Sequence, residues 1–195
     1  MTPRTVPSSS NLTLAAYLTP IGRLTLAARG GALVGLWAAD QRFFGEPFGI
    51  DEAVAARADD LTQSAGRAAL LARVPTGDAK ALKAAASWLD DYVEGLAPSP
   101  SRLPITPLGS KFQLLVWQTM DAIPYGATRT YGQIAARLTS AGTPASAQAV
   151  GGAVGRNPLL LIRPCHRVVA ASSPGGYAAG AEAKAWLLAH EAATV

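Results

Sequence analysis

The only cysteine of this 195-residue chain lies between a proline and a histidine, in the run Arg163-Pro164-Cys165-His166-Arg167. A single thiol cannot form an intramolecular disulfide, so its role is either packing or reactivity. A neighbouring base and nearby positive charge favour the thiolate, which is the form of cysteine that attacks electrophiles. Here His166 is the candidate base, and Arg163 and Arg167 supply the charge. On these residues alone the alternative of a small, buried, unreactive cysteine stays open.

Composition narrows the class of protein. About half of the residues (49%) are apolar, which is enough to bury a core in one large or two small domains. The net charge of +4 suits a partner that carries phosphates. One cysteine and two histidines do not make a structural zinc site, so we expect no metal and no cofactor. With no secretory signal and no apolar stretch of membrane-spanning length, we expect a cytoplasmic protein.

The first half of the chain predicts a small domain with one sheet. Residues 1–10 are rich in Pro, Ser and Thr and are typical of a mobile tail. Three strand-like runs follow at residues 12–17, 23–28 and 32–37, separated by turn residues, and predict a three-stranded antiparallel sheet.

A helix then completes this domain, which we place at residues 11–97. Apolar residues recur at helical spacing at Leu82, Ala85, Leu89 and Tyr92. Asp78 is the expected N-cap, and Gly95 is expected to end the helix. The proline-rich stretch 98–109 predicts a linker, so a second domain is expected at residues 110–195.

The second domain is dominated by predicted helices. Ser110 is expected to cap the first, whose apolar face comprises Phe112, Leu115, Val116 and Met120. A short helix at residues 131–138 and another that opens at Pro144 and runs towards Arg156 are joined by a turn, which indicates a helix-turn-helix. Two core helices without a partner are the alternative.

The last of these helices is built from small residues and contains the pair Gly151-Gly152. Glycine inside a helix costs about 1 kcal/mol of stability relative to alanine, so the pair is expected to have a packing or binding role. Contact with a nucleic-acid groove is one explanation, and close packing against another helix is the other.

Taken together, the motifs resemble the O6-alkylguanine-DNA alkyltransferases. The motifs that carry the resemblance are residues 112–117, Ile123-Pro124-Tyr125-Gly126, residues 130–135, Ala149-Val150-Gly151-Gly152-Ala153, Asn157-Pro158, residues 164–169, Gly176-Tyr177 and residues 184–191. The resemblance is strong from Ser110 to Glu191. Before Ser110 it is looser and rests on residues 19–22, on residues 35–37 and on the helix before the linker.

The resemblance implies a mixed α/β (α+β) fold with a ribonuclease-H-like N-terminal domain and a C-terminal winged helix-turn-helix domain. It also implies the reaction. The partner is double-stranded DNA containing O6-alkylguanine, whose damaged base is flipped into a pocket and loses its alkyl group irreversibly to Cys165. A monomer that acts once per lesion would suffice.

The resemblance also implies residue roles. Cys165 is the nucleophile, His166 reaches the sulfur through a water molecule, and Glu191 orients the imidazole. Tyr131 would donate a hydrogen bond to the departing guanine. The residues expected to contact the DNA or the lesion are Gln148, Asn157, Tyr177, Ser146, Ala147, Gly151 and Arg167.

Three features depart from the family pattern. Gln148 stands where relatives usually carry an arginine that fills the gap left by the flipped base. The turn at residues 139–143 is longer than is common, and Ala178 replaces a frequent serine. We therefore expect alkyl transfer that is less efficient on duplex DNA than in typical relatives.

Two other functions stay open from the sequence. One is a lesion-binding sensor without transfer, although proteins of that kind replace the cysteine that is present here. The other is a thiol acceptor for an alkylating small molecule that is not DNA.

Overall fold

The computed structural model describes residues 11–46, 48–106 and 108–194, so the predicted tail at residues 1–10 lies outside the described residues. An antiparallel sheet of three strands, in the order β1-β2-β3, opens the chain. The strands are β1 (Thr13–Thr19), β2 (Gly22–Arg29) and β3 (Ala32–Ala38). The predicted three-stranded sheet is confirmed.

Three helices follow the sheet: α1 (Glu52–Ala55), α2 (Ser64–Leu71) and α3 (Thr76–Val93). The long helix α3 packs on the sheet through the predicted apolar stripe, which is buried. The prediction that Asp78 caps α3 is wrong, because the helix begins earlier, at Thr76, and Asp78 lies within its first turn. Its carboxylate accepts hydrogen bonds from the Thr13 hydroxyl and the Gly31 N–H, both at 2.8 Å, and so joins the helix to the sheet. Gly95 follows the helix with a φ of 79°, as its predicted place at the helix end requires.

The predicted linker lies along the sheet. The N–H of Leu33 in β3 donates to the Pro104 carbonyl at 2.7 Å, and the N–H of Thr106 donates back to the Leu33 carbonyl at 2.9 Å. Leu36 makes a similar pair of bonds with Pro158 and Leu160. One hydrophobic core runs through both halves of the chain, so the boundary at residues 98–109 stays a prediction.

Four helices dominate the second half: α4 (Lys111–Asp121), α5 (Tyr131–Ser140), α6 (Ala147–Gly155) and α7 (Ala181–Ala193). Ser110 caps α4, as predicted. On α4 the residue that joins Val116 and Met120 in the core is Trp117, whereas Leu115 is 39% exposed, because Leu115 lies on the neighbouring face. The helix α6 begins later than predicted, at Ala147, because the Ser146 hydroxyl accepts the Ala149 N–H and caps it.

A small parallel ladder joins the predicted helix-turn-helix to the cysteine segment. Its strands are β4 (Arg129–Thr130), directly before α5, and β5 (Val168–Val169), directly after the cysteine turn. The thiol is thereby fixed to the same unit as helices α5 and α6.

Candidate active site

Cys165 lies in a single 3-10 turn, Cys165–Arg167, that follows a buried apolar run. Its side chain is held by Asn157, whose amide Nδ2 donates to the thiol sulfur at 3.2 Å. The same amide contacts the carbonyls of Leu159 and Arg163, and its oxygen accepts the Leu159 N–H at 3.1 Å. Asn157 therefore holds both the loop and the sulfur in place. The resemblance implies only that Asn157 contacts the DNA or the lesion.

His166 and Glu191 form a buried pair next to the cysteine. The imidazole Nε2 lies 2.7 Å from Glu191 Oε1, whereas Nδ1 has no hydrogen-bond partner among the described residues. Because the carboxylate accepts the proton on Nε2, the neutral ring presents a free lone pair at Nδ1. Burial lowers the pKa of His166, against the opposing effect of Glu191, so this nitrogen is unprotonated at neutral pH.

Glu191 lies at the centre of a hydrogen-bond network. Arg167 donates to both carboxylate oxygens, at 2.8 and 3.0 Å, and the Gly126 N–H donates at 3.0 Å. The Tyr92 hydroxyl of α3 donates to the same carboxylate at 2.8 Å. Burial alone would raise the pKa of Glu191, but the hydrogen bonds from His166 and Arg167 outweigh it and hold the pKa well below its usual range.

The positive charge near the thiol does not come from the arginines that adjoin it in sequence. Arg167 is bound to Glu191, and Arg163 packs over Trp117, with Nε 3.6 Å from a carboxylate oxygen of Asp121. The cation is Lys184, a buried residue of α7 whose Nζ donates to the carbonyls of Val168 and Gly176 at 2.7 and 3.1 Å.

The surroundings of the thiol oppose the thiolate that the adjacent charges favour. Burial raises the pKa of Cys165, and the Asn157 hydrogen bond and the Lys184 charge oppose that rise without reversing it. The thiolate must therefore form during the reaction, which requires a base such as His166.

An open cavity of about 670 Å³ lies over the thiol. It brings together five of the predicted site residues, namely Cys165, Tyr131, Gln148, Gly151 and Tyr177. The Tyr177 hydroxyl is buried next to the Cys165 thiol, and its interaction with the sulfur favours the ionised form by lowering the pKa of Cys165.

Packing against the described residues does not require glycine at either position of the pair Gly151-Gly152 in α6. A Cβ at Gly152 would meet nothing within 4 Å, and one at Gly151 would lie 3.9 Å from the Tyr131 ring. Both glycines line the cavity. Close helix packing therefore does not explain them, and contact with a nucleic acid stays the prediction for these positions.

Other predicted residues lie around this centre. Ser146 and Ala147 lie exposed at the start of α6, Asn157 lies behind the thiol, and Arg167 lies in the carboxylate network. Their predicted contacts with DNA stay predictions. Sequence reasoning missed Tyr92 and Lys184, and it missed the cavity residues Asp40, Arg42 and Phe43 that follow β3.

No group of three or more His, Cys, Asp or Glu side chains in the described ranges is placed to hold a metal ion. Likewise, none of the helices described has the length and hydropathy needed to cross a membrane.

A helix-turn-helix beside a buried thiol, with an imidazole and a carboxylate behind it, defines a DNA-directed cysteine acceptor protein. Residues 111–193 match the model of the 6-O-methylguanine DNA methyltransferase, DNA binding domain family. The methylated-DNA–protein-cysteine methyltransferase of Mycolicibacterium paratuberculosis is 35% identical over 175 residues, which cover 89% of this chain and 88% of that protein. This chain belongs to that methyltransferase family.

Two further similarities extend the comparison. The Salmonella typhimurium methylated-DNA–protein-cysteine methyltransferase is 44% identical over 104 residues, 53% of this chain and 59% of that protein. The crystal structure of Mycobacterium tuberculosis OGT in complex with DNA superposes with a TM-score of 0.67 at 30% identity, covering 93% of this chain and 94% of that one. The predicted mixed α/β fold is thereby confirmed.

Proposed function

We propose that this chain repairs alkylated DNA by direct reversal, with Cys165 as the acceptor of the alkyl group. The observation that carries the proposal is the position of the thiol. It lies in the wall of an open cavity on the helix-turn-helix unit, with a neutral imidazole and an ionised carboxylate behind it. Such an arrangement suits a nucleophile that is deprotonated only when an electrophile is bound.

The chemical step forms one bond and breaks another. His166 accepts the thiol proton at Nδ1 through a bridging water molecule and becomes an imidazolium, which the anionic Glu191 stabilises at 2.7 Å. The sulfur of Cys165 attacks the alkyl carbon, and the bond between that carbon and O6 of guanine breaks. The electron pair of that bond stays on the guanine, and the alkyl group stays on the protein as a thioether, so each molecule reacts once.

The cavity supplies groups that suit an extruded O6-alkylguanine. Burial raises the pKa of Tyr131, so its hydroxyl is a neutral donor that can stabilise the charge building on the guanine. The hydroxyl of Tyr177, which lines the same cavity, offers a second polar contact. The bare backbone of Gly151 and Gly152 lets a flat base or a DNA strand approach α6 closely.

The proposed partner is duplex DNA that contains O6-alkylguanine, bound through α5 and α6. A base must leave the stack to reach a thiol inside a cavity, so base flipping is part of the proposal. The protein would act as a monomer, because one thiol in one chain completes the reaction. We place it in the cytoplasm, where a reactive cysteine is kept reduced.

The test is to incubate the protein with a duplex containing one O6-methylguanine and to measure the mass of the intact protein. A stoichiometric gain of one methyl group that disappears in Cys165→Ala is expected, and a duplex with unmodified guanine should give no gain. Tight binding to the lesion without a mass gain would indicate a sensor instead. Labelling by free alkylating agents alone would indicate a small-molecule acceptor.

A further inference from the structure

The loop at residues 39–46 places side chains of the N-terminal half on the rim of the cavity over Cys165. Internal hydrogen bonds shape this loop. The Gln41 side chain accepts the Ala38 N–H at 3.0 Å, and the Gln41 carbonyl accepts the Phe44 N–H at 2.9 Å. The Phe44 ring packs 5.8 Å from that of Trp37, which is fully buried. The rim is therefore preorganised rather than assembled by a ligand.

Two arginines meet on one aromatic ring of this rim. The guanidinium of Arg156, which ends α6, lies 4.2 Å from the Phe43 ring centroid, and that of Arg42 lies 5.1 Å from it. Stacking of this kind orients a guanidinium while its N–H groups stay available for an anion. Arg42, Phe43 and Arg156 all line the cavity.

The charge of these arginines is not neutralised by a partner. Both are exposed, and neither is in an ion pair with a carboxylate of the described residues. Asp40 is the acidic residue that lines the same cavity, so the rim carries two positive charges against one negative charge. Gln148, which lines the same cavity, offers no charge.

We propose that Arg42 and Arg156, both stacked on Phe43, bind a backbone phosphate of the strand that carries the extruded nucleotide. This inference rests on the proposed function. A guanidinium fork matches a phosphate in shape and charge, and a phosphate must accompany any nucleotide that enters the cavity. The N-terminal half thereby takes part in DNA binding through Arg42, and the two arginines supply part of the charge that Gln148 lacks.

The experiment compares a substrate that carries phosphates with one that does not. Binding of a duplex containing O6-methylguanine is measured at several salt concentrations in a Cys165→Ala background, and transfer from free O6-benzylguanine is measured with Cys165 present. In Arg42→Gln/Arg156→Gln we expect duplex binding to be about tenfold weaker. The slope of log Kd against log salt should also be smaller, by the contribution of about one phosphate contact. The rate with the free base, which carries no phosphate, should fall much less than the affinity for the duplex.

Arg57→Gln/Arg102→Gln is the matched control, because it also removes two exposed arginines, both outside the cavity. Arg42→Lys/Arg156→Lys keeps the charge and should keep most of the salt dependence. A salt slope in the double glutamine variant equal to that of the control overturns the inference. So does an equal loss on the duplex and on the free base, which would indicate a role in cavity shape. A wild-type protein that takes no alkyl group from the duplex contradicts the proposed function instead.

Discussion

The Tyr92 hydroxyl donates a hydrogen bond of 2.8 Å to the Glu191 carboxylate, although 99 positions separate the two residues in sequence. The helix that packs on the N-terminal sheet thus helps to hold the carboxylate of the C-terminal site. The same oxygen of Glu191 lies 2.7 Å from His166. The base that we assign to the thiol is therefore positioned by both halves of the chain.

Removing the charge of Glu191 should slow transfer strongly. In Glu191→Gln the imidazolium formed from His166 loses its stabilising anion, so we expect a single-turnover rate about 100-fold lower. Arg167 also loses its partner, at a cost of about 3 kcal/mol in the free energy of unfolding. Glu182→Gln, which removes an exposed carboxylate from the same helix, is the control. A wild-type rate in folded Glu191→Gln would contradict the assigned role.

Acid should weaken the fold through the same carboxylate. Because the folded-state pKa of Glu191 is depressed, its contribution to stability is complete above the unfolded pKa of about 4.3 and is lost as pH falls below it. The difference in unfolding free energy between wild type and Glu191→Gln should therefore shrink between pH 6 and pH 3. Urea denaturation at several pH values measures this difference. A difference that does not change with pH would show that the carboxylate is not held ionised by the fold.

Lys184 should control the ionisation of the thiol. Its buried ammonium lowers the pKa of Cys165 against the effect of burial, so Lys184→Met should move the pH profile of iodoacetamide labelling to higher pH. The carbonyls of Val168 and Gly176 also lose their donor, which should cost about 1–3 kcal/mol of stability each.

The exposed Lys80→Met is the control for this experiment, because it removes the same charge from the surface. It should leave the labelling profile of Cys165 in place. If the profiles of Lys184→Met and wild type coincide, the lysine has a structural role only.

Local signals explain why much of the fold was predictable. The runs at residues 12–37 alternate with turn residues, and Ser110 begins a capping box with Gln113, so strands and helix starts follow from neighbouring residues. The short helices α1 and α2 were missed because their sequences carry no long apolar stripe.

The site was only partly predictable because its key contacts join distant segments. Tyr92 belongs to an apolar helix stripe and was assigned to the core, where its hydroxyl nevertheless reaches Glu191. Lys184 looks like a solvated lysine until its helix packs against β5. Conversely, Arg163 adjoins the cysteine segment in sequence but packs over Trp117. Proximity along the chain indicated His166 as the base, which stays a prediction, but it did not indicate Lys184 as the cation near the thiol.

Replacing Gln148 by arginine should improve handling of duplex DNA. Gln148 is exposed near the start of α6 and lines the cavity, so the change adds a positive charge that faces the ligand without disturbing the core. We expect single-turnover transfer from a methylated duplex to be several-fold faster. The salt dependence of duplex binding should become steeper by the contribution of about one phosphate contact. Transfer from free O6-benzylguanine should not change, and Gln148→Met separates the effect of charge from that of side-chain length. Equal duplex rates for wild type and Gln148→Arg would mean that glutamine already does all that this position requires.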